Sequence, residues 1–287
     1  MTTSHHKTVL ITGAAGGVGK AAAAAFHGRG YHLWLSDRNL DKLEALQATY
    51  PGTTIDGTDL GDRAALEELC RNIETSGVDL AVAFINAGVV IPGSIADQSR
   101  GAIAAHIDIN LLAAAFLSQA CARKMKAQGS GHIISTLSTA ALISLPGSAA
   151  YSASKFGLRG FNMALAEDLA PFGVHVSSVY PNAIDTPMLR REAASGGSVL
   201  NFVSDPVSAE DVARVVVGAV EGRKREYFVP ASDRFSARML SAFPGLLKLL
   251  GGFMERQGRK GRDRYLRRHG LKLEPPSSDS EPHPARS

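Results

Sequence analysis

The segment KTVLITGAAGGVGKAAAAAF, residues 7–26, constrains the fold more than any other stretch of the chain. Its first part reads as a short buried strand and its last part as an alanine-rich helix, with a glycine turn between them. Strand, turn and helix in that order make half of a βαβ unit, and such units assemble into a parallel sheet covered by helices on both faces. Gly13 can take a backbone conformation closed to other residues, Gly17 lets main chain approach a pyrophosphate, and Gly19 permits close packing of helix on sheet. Val18 stands between the last two and is expected among the cofactor-binding residues. The amides and dipole of the helix N-terminus favour negative charge, so this loop can hold a dinucleotide without an arginine. The glycine spacing departs from the commoner G-x-G-x-x-G.

A second apolar run, YHLWLS, ends in Asp37, eighteen residues beyond Gly19. That is close to where an acidic side chain accepts hydrogen bonds from the adenosine ribose hydroxyls. A carboxylate there repels a 2′-phosphate, so NAD is the expected cofactor, while Arg38 next door can pair with a phosphate and keeps NADP open. The alternation then continues, with strands expected near Val9, Leu33, Ile55, Val82, Ile133, Val176 and Phe228 and helices between them. The expected fold is α/β, a doubly wound, Rossmann-like parallel sheet in a single domain with a C-terminal helical extension. With 45% apolar residues, 287 residues suffice for one large core. The domain is placed at residues 1–230, the extension at 231–272 and a tail at 273–287. That tail is rich in Pro, Ser and charge and is expected to be disordered.

Tyr151 and Lys155, in AAYSASKFGLRGF, are four residues apart and therefore share a helix face. A phenol with a pKa of about 10 is a poor acid or base at neutral pH, and each unit of downward shift needs about 1.4 kcal/mol. An ammonium roughly 4 Å away is worth about 4 kcal/mol at an effective dielectric near 20, so Lys155 is expected to bring the phenol toward neutrality.

Taken in order, these motifs resemble the short-chain dehydrogenase/reductase family from about Thr8 to about Pro230. TGAAGGVG (12–19) is similar to its cofactor turn, Asp59 in GTDL to its adenine-contacting acid, and Asn86, Ala87 and Gly88 to its Asn-Ala-Gly stretch. Asn110 in IDINLL resembles the asparagine of the family's catalytic tetrad, and Ser138, thirteen residues before Tyr151, its serine. One departure stands out: where the family has Pro-Gly after the sixth strand, Pro181 is followed by Asn182, a residue type that tolerates positive φ.

The resemblance implies an oxidoreductase. Lys155 would bond the nicotinamide ribose, and Tyr151 would relay the hydroxyl proton while hydride moves to or from nicotinamide C4. Ser138 would donate to the substrate oxygen, and Asn110 would kink its helix and hold a water linking Lys155 to solvent. Thr186 and Ile184 would contact the nicotinamide carboxamide. The reading from a different class is a dinucleotide-sensing regulatory or scaffold protein that turns nothing over. The loops after the strands place Val90, Leu142, Ile143, Leu145, Met188, Leu200 and Phe202 where a substrate would enter, which points to a hydrophobic alcohol or ketone, with Gly196 and Gly197 as hinges of a lid.

Beyond Pro230 an apolar stretch around Leu240–Phe253 runs into a basic one. It is too dense in apolar residues for a solvated helix and too interrupted, by Pro244 and Gly251-Gly252, to span a bilayer. It reads as a cover over the substrate pocket or a subunit partner, or as a helix lying on a membrane surface. Basic residues without a reading motif do not make a nucleic-acid surface, and none is expected as a partner. The N-terminus enters a strand directly, so no signal peptide and a cytoplasmic location, with peripheral membrane contact through the extension, are expected. Cys70 and Cys121 are expected as reduced core thiols. His5 and His6 do not amount to a metal site, and no metal is expected. Small residues around Leu112 and Phe161 suit helix pairing in a homodimer or homotetramer.

Overall fold

The computed structural model describes residues 7–273, apart from 145, 196 and 244 and the side chains of 246–248. Seven parallel strands form one sheet: β1 (Thr8–Thr12), β2 (His32–Ser36), β3 (Thr54–Asp56), β4 (Leu80–Ile85), β5 (Gly131–Thr136), β6 (Val174–Pro181) and β7 (Glu226–Val229). Their order across the sheet is β3-β2-β1-β4-β5-β6-β7. Each expected strand centre falls within one of them. The inner strands are almost continuous apolar runs because helices cover both faces. In β1, Val9 and Ile11 point into one core and Leu10 into the other.

One core packs α1 (Gly17–His27) and α8 (Ala209–Gly222) on the sheet through Phe26, Val212 and Val216. The opposite core takes α3 (Arg63–Thr75), α5 (Ala114–Gln128) and α6 (Ala149–Leu169) through Leu69, Leu117, Cys121 and Leu158. Helix starts are set locally. The Asp62 carboxylate accepts from the Ala64 and Ala65 amides to begin α3, and the Ser208 hydroxyl accepts from Asp211 N–H to begin α8.

Residues 100–128 run as α4 (Arg100–Ile107), a π-helical turn (Asp108–Ala113) and α5. By length and composition this stretch could cross a membrane. Here Leu117, Cys121 and Met125 are fully buried against the sheet.

The strand order reverses direction between β1 and β4, which opens a crevice beyond the strands' carboxyl ends. Over the β6 end of that crevice lie α7 (Pro187–Ala194) and a 3₁₀ turn (Val199–Phe202). The extension forms α9 (Asp233–Ala242) and α10 (Gly245–Arg268). In α9, Ala237 is buried and Arg238 pairs with Glu226 of β7 at 2.6 Å. α10 crosses the 199–202 turn so closely that a Cβ on Gly258 would stand 2.2 Å from the Val199 carbonyl oxygen. Tyr265 and Leu266 bury themselves there with Leu189, Ala193 and Phe202.

Candidate active site

The glycine turn after β1 forms one wall of a cleft of about 870 Å³. Gly13 has φ +64°, and a Cβ there would sit 2.9 Å from the Ala87 Cα. At Gly19 a Cβ would come within 2.2 Å of the Gly13 carbonyl oxygen, so this glycine closes the turn on itself rather than making room for the sheet. Gly17 faces Thr186, whose Cγ2 would lie 2.9 Å from an added Cβ. Helix α1 is capped by Gly16 with no side-chain hydrogen bond and has no acid in its first turn. Its leading amides are thus aimed at the cleft without a side-chain anion of their own, which fits a dinucleotide pyrophosphate.

Asp37 lines the same cleft, its Oδ2 accepting from Ala15 N–H at 3.0 Å and its Oδ1 from Asn39 N–H at 3.0 Å. Gly13, Gly17, Val18, Asn86, Ala87, Gly88, Ser138, Tyr151, Lys155, Ile184 and Thr186 line it too. Four expected residues stand outside that lining. Gly19 lies inside the turn, Arg38 is exposed beyond the end of β2, and Asp59 is exposed with its Oδ1 taken by Gly61 N–H at 2.9 Å. Asn110 is the fourth, buried in the π-helical turn.

A hydrogen-bonded chain fixes the centre. The Thr12 hydroxyl accepts from the Asn86 and Ala87 amides at 2.9 and 3.1 Å, and the Thr136 hydroxyl donates to Asn86 Oδ1 at 3.0 Å. Lys155 Nζ donates to the Thr136 carbonyl at 2.9 Å. Asn110 clasps the backbone of one residue on both sides: its Oδ1 accepts from Val89 N–H at 2.7 Å and its Nδ2 donates to the Val89 carbonyl at 2.9 Å. The same Nδ2 reaches Ser154 Oγ, one residue before Lys155, at 3.3 Å. The local break in the helix is a π turn that turns Asn110 onto the Val89 loop, where a Cβ on Gly88 would be 3.1 Å from Asn110 Oδ1.

Electrostatics correct one expectation. Burial pushes the Tyr151 phenol up to about 12; the Ser138 hydroxyl bonded to it acts in the other direction, and the Glu192 carboxylate adds to the rise. Burial also brings the Lys155 ammonium down to about 8. Lys155 Nζ sits 5.9 Å from the Tyr151 ring centroid and is not among the groups that shift the phenol, which burial dominates. His106 completes the surround. Its ring meets Tyr151 edge-on at 6.0 Å, Nδ1 bonds the Ala102 carbonyl at 2.8 Å and Nε2 accepts from Ile91 N–H at 3.1 Å. Those partners fix a neutral ring, and burial holds its pKa below the ordinary imidazole value.

A family model described as short chain dehydrogenase matches residues 7–196. The chain belongs to the short-chain dehydrogenase/reductase family. Its relatives include the 3-oxoacyl-(acyl-carrier-protein) reductase FabG of Rickettsia conorii, 34% identical over 183 residues, 63% of this chain and 74% of that protein. An uncharacterized oxidoreductase of Staphylococcus aureus is 30% identical over 188 residues, 65% of this chain and 81% of the relative. Among solved structures, a short-chain dehydrogenase from Sphingobium yanoikuyae in complex with NADPH superposes with TM-score 0.72 at 25% identity, covering 84% of this chain and 95% of that one. Another from Streptomyces avermitilis gives 0.74 at 23% identity, over 88% and 98%, and shows the shared fold. As a short-chain dehydrogenase/reductase, the protein is an NAD(P)-dependent oxidoreductase.

Against the family's pattern, the Pro-Asn turn behaves otherwise than its residue type suggests. Asn182 does not adopt positive φ. Its Nδ2 donates to Ser204 Oγ at 2.7 Å and to Asp233 Oδ2 at 3.1 Å, tying β6 to α9. The substrate side also differs from expectation. Val90 and Met188 line the cleft, but Leu142 and Phe202 are buried in packed cores, Ile143 packs against one, and Leu200 does not reach the lining. Leu145 and Gly196 lie outside the described residues; Gly197 lines the cleft. Lys42, His106, Glu192 and Asn201 were not legible as site residues. Only Lys42 had a signal, one turn into the helix after Asp37.

Proposed function

We propose that this short-chain dehydrogenase/reductase interconverts a secondary alcohol and a ketone with a largely apolar body, and that Ser138, Tyr151, Lys155 and Asn110 act as its tetrad. The convergence of Ser138, Tyr151 and Lys155 in one cleft, beside the glycine turn and the sheet's switch point, carries this reading. Gly13, Gly17, Val18, Asp37, the 86–88 stretch, Ile184 and Thr186 would hold the dinucleotide, with Arg38, Asp59 and Gly19 supporting its rim and turn. When bound, a nicotinamide dinucleotide supplies or accepts hydride at ring C4 and, oxidised, brings a positive charge. Tyr151, protonated in its buried setting, gives its proton to the substrate oxygen in reduction and takes it back in oxidation. Ser138 donates to that oxygen where charge develops. Lys155 holds the ribose and moves protons to and from Tyr151, and Asn110 keeps the 88–89 loop in place beside it. Asp37 supports a preference for NAD, and Lys42 and Arg38 supply the cations that NADP would use.

The test is turnover of apolar secondary alcohols with NAD and NADP in parallel, followed at the absorbance of reduced nicotinamide. Tyr151→Phe should lose at least about 100-fold in kcat and keep dinucleotide binding. A variant as fast as the parent removes the assignment. A parent that binds dinucleotide and turns over no alcohol is a sensor.

Partners follow from exposed apolar surface. Phe156 and Met163 on α6 are 40% and 52% exposed, and α6 packs on the π-helical turn that holds Leu112 and leads into α5, which supports a homodimer or homotetramer through these helices. Cys70 and Cys121 are both free, consistent with a reducing, cytoplasmic compartment. We read residues 1–230 as the catalytic unit and 231–272 as an extension that braces it and touches a membrane. Phe235, Met239 and Phe243 recur at i, i+4 and i+8, and Leu249 and Phe253 are 79% and 61% exposed. By helical spacing, Leu249, Phe253, Arg256, Lys260, Arg264 and Arg267 lie along one outward stripe of α10. Two copies of that stripe face to face would oppose like charges, which favours anionic headgroups over a second chain. Leu249→Ser with Phe253→Ser should reduce co-sedimentation with phosphatidylserine vesicles; equal recovery of parent in the supernatant with anionic and neutral vesicles sinks this attachment.

A further inference from the structure

The substrate side of the cleft is not apolar throughout. Met188 and Glu192 lie one turn apart on α7 and both line it, together with Ser195, Ser198 and Asn201. Glu192 is held in a constructed seat. Gly197 N–H donates to the Glu192 carbonyl at 2.8 Å, and a Cβ on Gly197 would stand 2.3 Å from Glu192 Cγ and 3.1 Å from its Oε1. The loop needs glycine there because the acid runs beneath it. Asn201 Nδ2 donates to Oε1 at 2.9 Å. No ion pair among the described residues involves Glu192, whereas Arg190, two residues earlier, is engaged by Asp185 at 3.1 Å. The second carboxylate oxygen has no hydrogen-bond partner among the described residues. The acid is half-buried, and this oxygen stays open to the cleft beside the reacting tyrosine, where a donor on a ligand can reach it. Its carboxyl is held above the ordinary range by that burial, and its charge reaches the Tyr151 phenol.

We propose that Glu192 is a substrate-recognition residue that accepts a hydrogen bond from a hydroxyl or protonated amine carried by the substrate away from its reacting carbon. The proposal rests on the alcohol/ketone reading and narrows it: an apolar body along Val90, Ile91 and Met188, and a donor group at Glu192 and Asn201. Sites built to meet a polar substrate group reject the analogue lacking it far more strongly than hydrophobic pockets discriminate by size, because the site's own polar atoms are left unpaired.

The experiment uses four ketones matched in length that end in methyl, hydroxyl, ammonium or carboxylate, assayed with the full chain and reduced dinucleotide. The parent should favour the hydroxyl and ammonium ketones over the methyl one at least tenfold in kcat/KM, chiefly through KM. Glu192→Leu should erase that preference. Glu192→Gln, which keeps an oxygen for Asn201, should keep part of the preference for hydroxyl and lose that for ammonium. Equal kcat/KM for the parent on all four, an unchanged ratio in Glu192→Leu, or tightest use of the carboxylate ketone, which would transfer recognition to Arg191 on the same cleft wall, overturns the proposal. Calorimetric affinities of the same ketones for dinucleotide-loaded Tyr151→Phe protein give the ratio without turnover. A parent that reduces none of the four yet binds them in the expected order fails the oxidoreductase reading alone.

Discussion

Replacing Gly261 tests how the extension governs the cleft. A Cβ at Gly261 would lie 2.0 Å from the Phe202 carbonyl oxygen and 3.1 Å from the Phe202 Cβ, so Gly261→Ala must move α10 by roughly 1.4 Å to reach ordinary contact. Such overpacking against backbone costs about 1–3 kcal/mol. Burial of Tyr265 and Leu266, at about 1.5–3 kcal/mol each, holds the helix down. The single variant should therefore stay docked under strain, whereas Gly258→Ala with Gly261→Ala, at about 2–6 kcal/mol, should match the docking energy and lift the C-terminal half of α10. The turn beneath carries Asn201 and Ser198 into the cleft, so substrate KM should rise several-fold in the single variant while dinucleotide affinity holds. Thermal unfolding, limited proteolysis within α10 and steady-state kinetics read these separately. A double variant with the parent's melting temperature and protease resistance would refute the close crossing from which the reasoning starts.

Asn110→Ala removes both bonds to the Val89 backbone and leaves buried groups unpaired at about 1–3 kcal/mol each; it should lower the melting temperature and cut kcat/KM at least tenfold, and parent-like values in both would rule out the clamp. His132, buried beside Ser177 on the sheet, is brought down to about 4, chiefly by burial and then by His175 and Arg223. Its folded value lies below its unfolded one, so the unfolded chain takes up the proton first. Up to about 3 kcal/mol of stability should be lost as pH falls from about 6.5 to about 4, with no further loss from this group below that. His132→Gln should flatten that part of the urea-denaturation profile relative to the parent, and identical slopes would disprove the assignment.

The seven strands were legible because strands covered on both faces leave uninterrupted apolar runs, and Gly13 because its neighbours spell out strand, turn and helix. Tyr151, Lys155 and Ser138 were legible as a set, by spacing and order. The electrostatic sign at Tyr151 was not, since burial belongs to the assembled cleft and a four-residue spacing does not by itself make the lysine shift the phenol. Glu192 looks in sequence like any charged residue of a short helix, and its seat depends on Gly197 and Asn201 on a separate turn. Gly258 and Gly261 carry no mark of their own in the sequence, yet they are the points at which two backbones nearly touch. Phe202 read as a cleft residue because it is apolar and sits in a loop; Tyr265, sixty-three residues later, covers it instead.

The π turn at Asp108–Ala113 makes chain length itself part of the chemistry. An α-helix advances about 100° per residue, so deleting one residue from this wide turn would let it relax into regular helix and swing Asn110 away from the Val89 backbone. Homologous sequences that lack that extra residue would have to hold the same loop by other means, whatever amino acids they carry around it.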